Sequence, residues 1–245
     1  MAAPDNKTII VTGDDFCPLT CNPASGKEGL AVDLIRRLFQ PSGWIIEYQF
    51  LPFRRGIQYF KNAKVDLVPG VEKGGGIDFS DAHISTMPII SPRMCFYTHV
   101  NNPQWYYQNL SSLNEGKLGV ISGYFYWPEL RDYLISHKDD GKVEVVTSDN
   151  AIAISLRMLA KRRFDYFVEL RPVVEYQLML QNLKQDIHES SCVKSYPLYL
   201  AFRPGFAPAK ELNAYWDMFA LPLLKSAEGT AILQQYGLTL RSIFE

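Results

Sequence analysis

Twice along this chain a short β-branched run leads into an amphipathic helix and on to another short apolar run. Residues Thr8–Thr12 (TIIVT) read as a strand. In the following helix, Gly29–Phe39 (GLAVDLIRRLF), Leu30, Leu34, Ile35 and Leu38 share one face while Asp33, Arg36 and Arg37 lie off it, the spacing of a half-buried helix. Pro41-Ser42-Gly43 breaks it. Trp44–Phe50 (WIIEYQF) is a second β-rich run, Phe53–Lys61 brings Phe53, Ile57 and Phe60 together as a second helix, and Val65–Val68 is a third strand. The order recurs: strand Lys117–Ile121, helix Tyr126–His137 with Pro128 in its first turn, strand Val143–Val146, helix Asp149–Lys161 with Ile152, Leu156 and Leu159 inward, strand Phe164–Val168, and a helix opened by Pro172. Strand–helix–strand order calls for parallel neighbours joined by crossover helices. The chain is therefore predicted to be α/β, with two doubly wound lobes, although no sequence repeat relates them.

Two further extended runs flank the second lobe, Met94–Val100 and Pro197–Phe202, and the last part, Pro208–Gly237, reads as helix interrupted by Pro222. This suits a chain that leaves lobe one, builds lobe two and returns. The expected division is residues 1–98 with 199–245 as a discontinuous lobe one and 99–198 as lobe two, joined by two crossover strands that act as a hinge. Ligands of doubly wound sheets bind outside the carboxyl ends of the strands. In lobe one that rule selects Asp14, Asp15 and Phe16 after the first strand, Arg54 and Arg55 after the second, and Gly70, Glu72 and Lys73 after the third. In lobe two it selects Gly123, Tyr124 and Phe125, with Glu169 and Arg171 further on. Asp14 and Asp15 either hold a cationic group or make the turn. Arg55 either reaches the ligand or lies on a solvated face. Ser122-Gly123, placed before a helix, is a candidate anion site through its backbone N–H groups.

The formal net charge of -1 gives no electrostatic reason to expect nucleic acid or an anionic membrane as partner, and no apolar run reaches the length needed to span a bilayer. The lead Met1-Ala2-Ala3-Pro4-Asp5-Asn6 is small and polar, as expected after removal of an export signal. In an exported protein Cys17 and Cys21 of CPLTC are expected to close a local disulfide, two free thiols being the alternative, whereas Cys95 and Cys192 read as buried free thiols. The four histidines are scattered and form no metal motif, and no nucleophile elbow is present. No catalytic residue, metal or cofactor is expected.

The stretch Val65–Ser80, VDLVPGVEKGGGIDFS, raises a particular question, because three glycines stand between a strand and an aromatic. The spacing of a phosphate loop is absent. Several segments together resemble the periplasmic solute-binding proteins of bacterial ABC transporters, in the polar amino-acid-binding group (extracellular solute-binding family 3). They are Gly29-Leu30-Ala31-Val32-Asp33-Leu34, Pro52-Phe53-Arg54-Arg55, Lys64-Val65-Asp66-Leu67, Asp78-Phe79-Ser80, Leu113–Gly123, Arg162-Arg163-Phe164-Asp165, Leu198–Gly205 and Ile232–Gly237. Their order and spacing cover nearly the whole chain. The resemblance implies the type 2 periplasmic-binding-protein architecture. In that family an Arg between the third strand and the F-S segment holds the ligand α-carboxylate, a task suited to a forked guanidinium. Val65–Ser80 contains no Arg, so the triplet is read as bridging a shortened ligand loop with Lys73 as its only cation.

The expected function is extracytoplasmic, periplasmic binding of a small polar solute by hinge closure, for delivery to the membrane permease of an ABC transporter. The protein is expected to be a monomer without direct membrane insertion. The alternatives are a small dehydratase-like enzyme on the same scaffold and a sensory ligand-binding module that engages a sensor protein.

Overall fold

The β-branched segment Thr8–Gly13 (β1) alternates buried and half-buried residues, which lets a strand sit at the middle of a sheet covered on its faces by helices. The computed structural model describes residues 7–74 and 77–244; the Met1–Asn6 lead and Gly75-Gly76 of the triplet lie outside them. After β1 come α1 (Leu30–Phe39), β2 (Ile45–Phe50), α2 (Phe53–Lys61), β3 (Leu67–Val71) and β4 (His83–Ile84). Then follow β5 (Arg93–His99), β6 (Leu118–Ile121), α3 (Pro128–Ser136), β7 (Val143–Val146), α4 (Ala151–Ala160), β8 (Tyr166–Leu170), α5 (Arg171–Gln181) and β9 (Ile187–Ser195). The chain ends with β10 (Tyr199–Phe202), α6 (Ala209–Lys225), α7 (Ala227–Gln235) and α8 (Leu240–Phe244).

These elements form two compact units, the described residues up to Ser91 with Pro197–Phe244, and Pro92–Tyr196. The first carries a sheet of order β2-β1-β3-β10-β4, the second a sheet of order β7-β6-β8-β5-β9. In the first, β1 runs parallel to β2 and β3, while β10 is antiparallel to β3 and β4. In the second, β6 runs parallel to β7 and β8, while β5 is antiparallel to β8 and β9. The first passage between units falls at Ser91/Pro92, not at 98/99. The physical reason is that β5 pairs on both edges, with β8 and β9, and so belongs wholly to the second sheet.

The two units share a device at the start of their central strands. Asp66 stands just before β3; its N–H donates to the Ile10 carbonyl at 2.8 Å, and its carboxylate accepts the Ile10 N–H at 3.0 Å. Asp165 stands just before β8; its N–H donates to the Lys117 carbonyl at 2.8 Å, and its carboxylate accepts the Lys117 N–H at 2.8 Å. Each carboxylate thus pairs a backbone amide of the neighbouring strand or its lead, the Asp66 contact partly buried and the Asp165 contact exposed. Arg203 adds Nε–H to Asp66 at 2.8 Å. A Cβ on Gly116 would lie 2.7 Å from the Asp165 carboxylate, so only glycine leaves room for the second clasp.

The apolar face of α1 is buried at Leu30, Leu34, Ile35 and Leu38, and Ile57 and Phe60 of α2 pack with Val65, Val68 and Val71. Three local expectations are corrected. Pro69-Gly70 does not end the third strand. It forms a bulge inside β3, where the pairing with β10 shifts between Tyr199 and Leu200 and Gly70 adopts φ 86°, the place at which a sheet accepts proline and a left-handed residue. Pro222 does not interrupt the last helices either: α6 continues to Lys225, and the break comes at extended Ser226, whose hydroxyl accepts the Gly229 N–H of α7. Finally, Cys95 and Cys192 are not free thiols but bonded to each other, because they stand opposite one another in the β5–β9 ladder with Cα atoms 3.9 Å apart.

Candidate functional site

In the first unit the carboxyl ends of the parallel strands gather three loops. After β1, Asp14, Asp15 and Phe16 are half-buried, in a turn closed by the Phe16–Thr20 bridge and by the Cys17–Cys21 disulfide. Burial raises the Asp15 carboxyl above its ordinary value, against a lowering by a hydrogen bond from the Asn22 backbone. Tyr48 of β2 donates its hydroxyl to the Cys21 carbonyl at 3.1 Å. Burial first, then the charges of Asp14, Glu28 and Asp15, hold that phenol well above its usual range. Tyr48 escapes detection in the sequence, where it is one aromatic in an alternating strand.

After β2, Arg54 and Arg55 are exposed in the first turn of α2. After β3, Glu72 is half-buried and Lys73 exposed. The Lys73 ammonium lies 4.1 Å from the ring centroid of Tyr199, a cation–π contact that restrains an otherwise mobile side chain. Gly70 faces Leu19, whose Cδ2 would be 3.1 Å from an added Cβ, so the β3 bulge packs against the disulfide-closed loop.

In the second unit β6 is followed by Gly123 at φ 86°, which turns the chain. Tyr124 is half-buried and Phe125 is 39% exposed. The Ser122-Gly123 turn, expected to stand directly before a helix, is separated from one. The helix begins at Pro128, which has no N–H to offer, and the Ser122 and Tyr124 amides donate to the Val146 and Ile121 carbonyls at 2.9 and 3.3 Å. Tyr126 instead turns inward, its hydroxyl accepting the Ile121 N–H at 2.9 Å. Burial, then the charge of Glu169, holds that phenol's pKa far above its ordinary value.

Glu169 is buried on β8, with an oxygen accepting the Leu170 N–H at 2.8 Å. Arg171, the first residue of α5, reaches β9. Its Nε–H donates to Glu189 Oε2 at 2.9 Å and its Nη2 to Glu189 Oε1, a forked pair that holds the guanidinium within the unit. Glu189 is absent from the expectations because a partner 18 residues away on another strand leaves no local signal. The structure therefore brings Asp14, Asp15, Phe16, Gly70, Glu72 and Lys73 to one end of the first sheet, and Gly123, Tyr124 and Phe125 to the matching end of the second. Arg171 is paired with Glu189. Carboxylates, a restrained ammonium and aromatic faces suit recognition of a small polar molecule by charge and stacking.

No family model and no curated protein sequence matches the chain. Solved structures do. A histidine kinase sensor domain with similarity to periplasmic binding proteins aligns at 21% identity and TM-score 0.72, over 96% of this chain and 98% of that one. An ancestral arginine-binding protein bound to arginine aligns at 20% identity and TM-score 0.71, over 94% and 98%. A structure from work on glutathione import by GshT and the cystine ABC importer TcyBC of Streptococcus mutans aligns at 16% identity and TM-score 0.74, over 94% and 95%. The chain has the fold of the periplasmic binding proteins along almost its whole length.

Proposed function

We propose that the chain is an extracytoplasmic binding protein that takes up a small polar solute, amino-acid-like or otherwise charged, and delivers it unchanged to the permease of an ABC transporter. The observation that carries this reading is the full-length likeness to solute-binding proteins, joined to charged and aromatic groups at the carboxyl ends of the parallel strands in each unit. Two disulfides support an oxidising compartment, and no helix of the described residues is long and apolar enough to cross a membrane.

A thermal-shift screen over amino acids, polyamines, organic acids and small anions tests the reading. A solute at about 100 times its Kd adds roughly 2.7 kcal/mol, a visible rise in melting temperature. Recovery of that solute intact after incubation supports binding, and its conversion would replace this reading with an enzyme. With a hit in hand, Lys73→Ala and Glu72→Ala give the sign of the ligand. Loss of a charge-assisted contact weakens binding by about tenfold or more, and one variant is expected to show this while the other does not. Equal, parent-like binding by both would remove the β3 loop from the site. The sensor-domain likeness favours one second reading, a sensory input module. Solute-dependent stimulation of a reconstituted permease separates transport from sensing.

A further inference from the structure

We propose that the Cys95–Cys192 pair, once reduced, forms with Glu189 a site for a thiophilic divalent cation such as Zn2+, and that the disulfide is the closed state of that site. Among the described residues, Cys95, Glu189 and Cys192 are the one group of three side chains of metal-ligating type whose donor atoms all lie within 4.8 Å of one another. The two sulfurs are held face to face by the β5–β9 ladder, so their approach outlasts the bond between them. Glu189 Oε1 lies 3.5 Å from Cys192 Sγ.

Glu189 is itself oriented from two sides. Arg171 grips both its oxygens, and the Tyr97 hydroxyl donates to Oε2 at 3.4 Å. Such outer partners fix a ligating carboxylate and sustain metal affinity. Arg171 Nη2 also stands 3.4 Å from Cys192 Sγ, where it stabilises a thiolate. The charges close: two thiolates and one carboxylate are offset by one guanidinium and one divalent ion. That balance matters where Cys95 is fully buried and Cys192 half-buried. Two sulfurs and an oxygen, completed by water, suit Zn2+ or Cd2+ and not a hard ion such as Mg2+.

Reduction by a phosphine breaks the S–S bond. The phosphine becomes its oxide with oxygen from water, and each sulfur gains a hydrogen. Metal binding then releases those two protons. The test uses the full chain carrying Cys17→Ser and Cys21→Ser, so that only one thiol pair remains. It is reduced by a phosphine without oxygen and titrated with Cd2+.

The expected result is one Cd2+ per chain with thiolate-to-cadmium charge-transfer absorption, absent before reduction. Arg171→Gln, which leaves all three ligands in place, should weaken binding by roughly 10–100-fold, and Cys192→Ser should remove the two-thiolate band. Absence of the band in the reduced chain overturns the proposal, as does equal affinity in Glu189→Gln and Cys95→Ser. Should circular dichroism show that reduction unfolds the chain, one equivalent of Cd2+ must restore the fold, and failure to do so counts equally against the site.

Discussion

Tyr236→Phe removes a single oxygen from a join between the first and last thirds of the chain. The Tyr236 hydroxyl donates to Asp33 at 2.6 Å and accepts the Gly29 N–H at 3.1 Å, and the residue is 2% exposed. A hydrogen bond to a charged group contributes about 1.5–3 kcal/mol, and a buried N–H left without its acceptor costs about 1–3 kcal/mol. Because Asp33 is only half-buried, the lower parts of these ranges apply. The expected loss is about 2–4 kcal/mol, which moves a urea midpoint down by about 1 M or more at unchanged slope. If the two units unfold in separate steps, the shift belongs to the step of the unit that contains Tyr236.

The pH dependence supplies a second check. Burial raises the Asp33 carboxyl above its ordinary value, and the bond from Tyr236 pulls it back. A carboxyl raised by folding binds its proton more tightly in the native state, so stability falls as pH rises through the native pKa. Losing the hydroxyl extends that window upward. The deficit of the variant should therefore be full at neutral pH and shrink in acid, where Asp33 is protonated in both proteins. A stability within about 0.5 kcal/mol of the parent, or a deficit that does not change with pH, would refute this account of the join.

Asp66→Ala should destabilise the first unit by about 2–3 kcal/mol, because it removes the acceptor of the Ile10 amide and the carboxylate partner of Arg203; denaturant titration reads the loss, and a parent-like midpoint sinks it. Mass spectrometry of non-reduced peptides should find Cys17 joined to Cys21 and Cys95 to Cys192, and any other pairing would contradict the β5–β9 register.

Much of the fold was legible because burial follows period. Leu30, Leu34, Ile35 and Leu38 recur at helical spacing and all are buried in α1. The features that escaped depend on partners distant in sequence. Pro69-Gly70 reads locally as a stop, yet the antiparallel partner β10 arrives 130 residues later and absorbs it as a bulge. Cys95 meets Cys192 across a separation of 97 residues, and Arg171 meets Glu189 through strand pairing. A periodicity argument follows one element at a time, so it is blind to registers set between elements.

The motifs that carry the family resemblance turn out, residue by residue, to hold the scaffold together. Asp33 of the GLAVDL segment bonds Tyr236 of the Ile232–Gly237 segment. Asp66 of KVDL and Asp165 of RRFD make the same two-point clasp on Ile10 and Lys117. Phe79 of D-F-S packs edge-on against Phe60 at 5.6 Å. The polar contacts satisfy backbone and carboxylate groups at strand and helix ends and the ring pair adds packing, so all serve the scaffold rather than a ligand. This is why the architecture could be read with so little dependence on the ligand. Most of the residues proposed for recognition lie in the loops that follow the strands. There the sequence departs from the family pattern, offering Lys73 against Tyr199 where a forked Arg is expected. A point charge restrained on a ring binds an anion without reading the planar shape of a carboxylate. If Lys73 is the contact, the solute is expected to be recognised at that loop by its charge rather than by an α-carboxylate, and competition between amino acids and simple anions for the same site would show it.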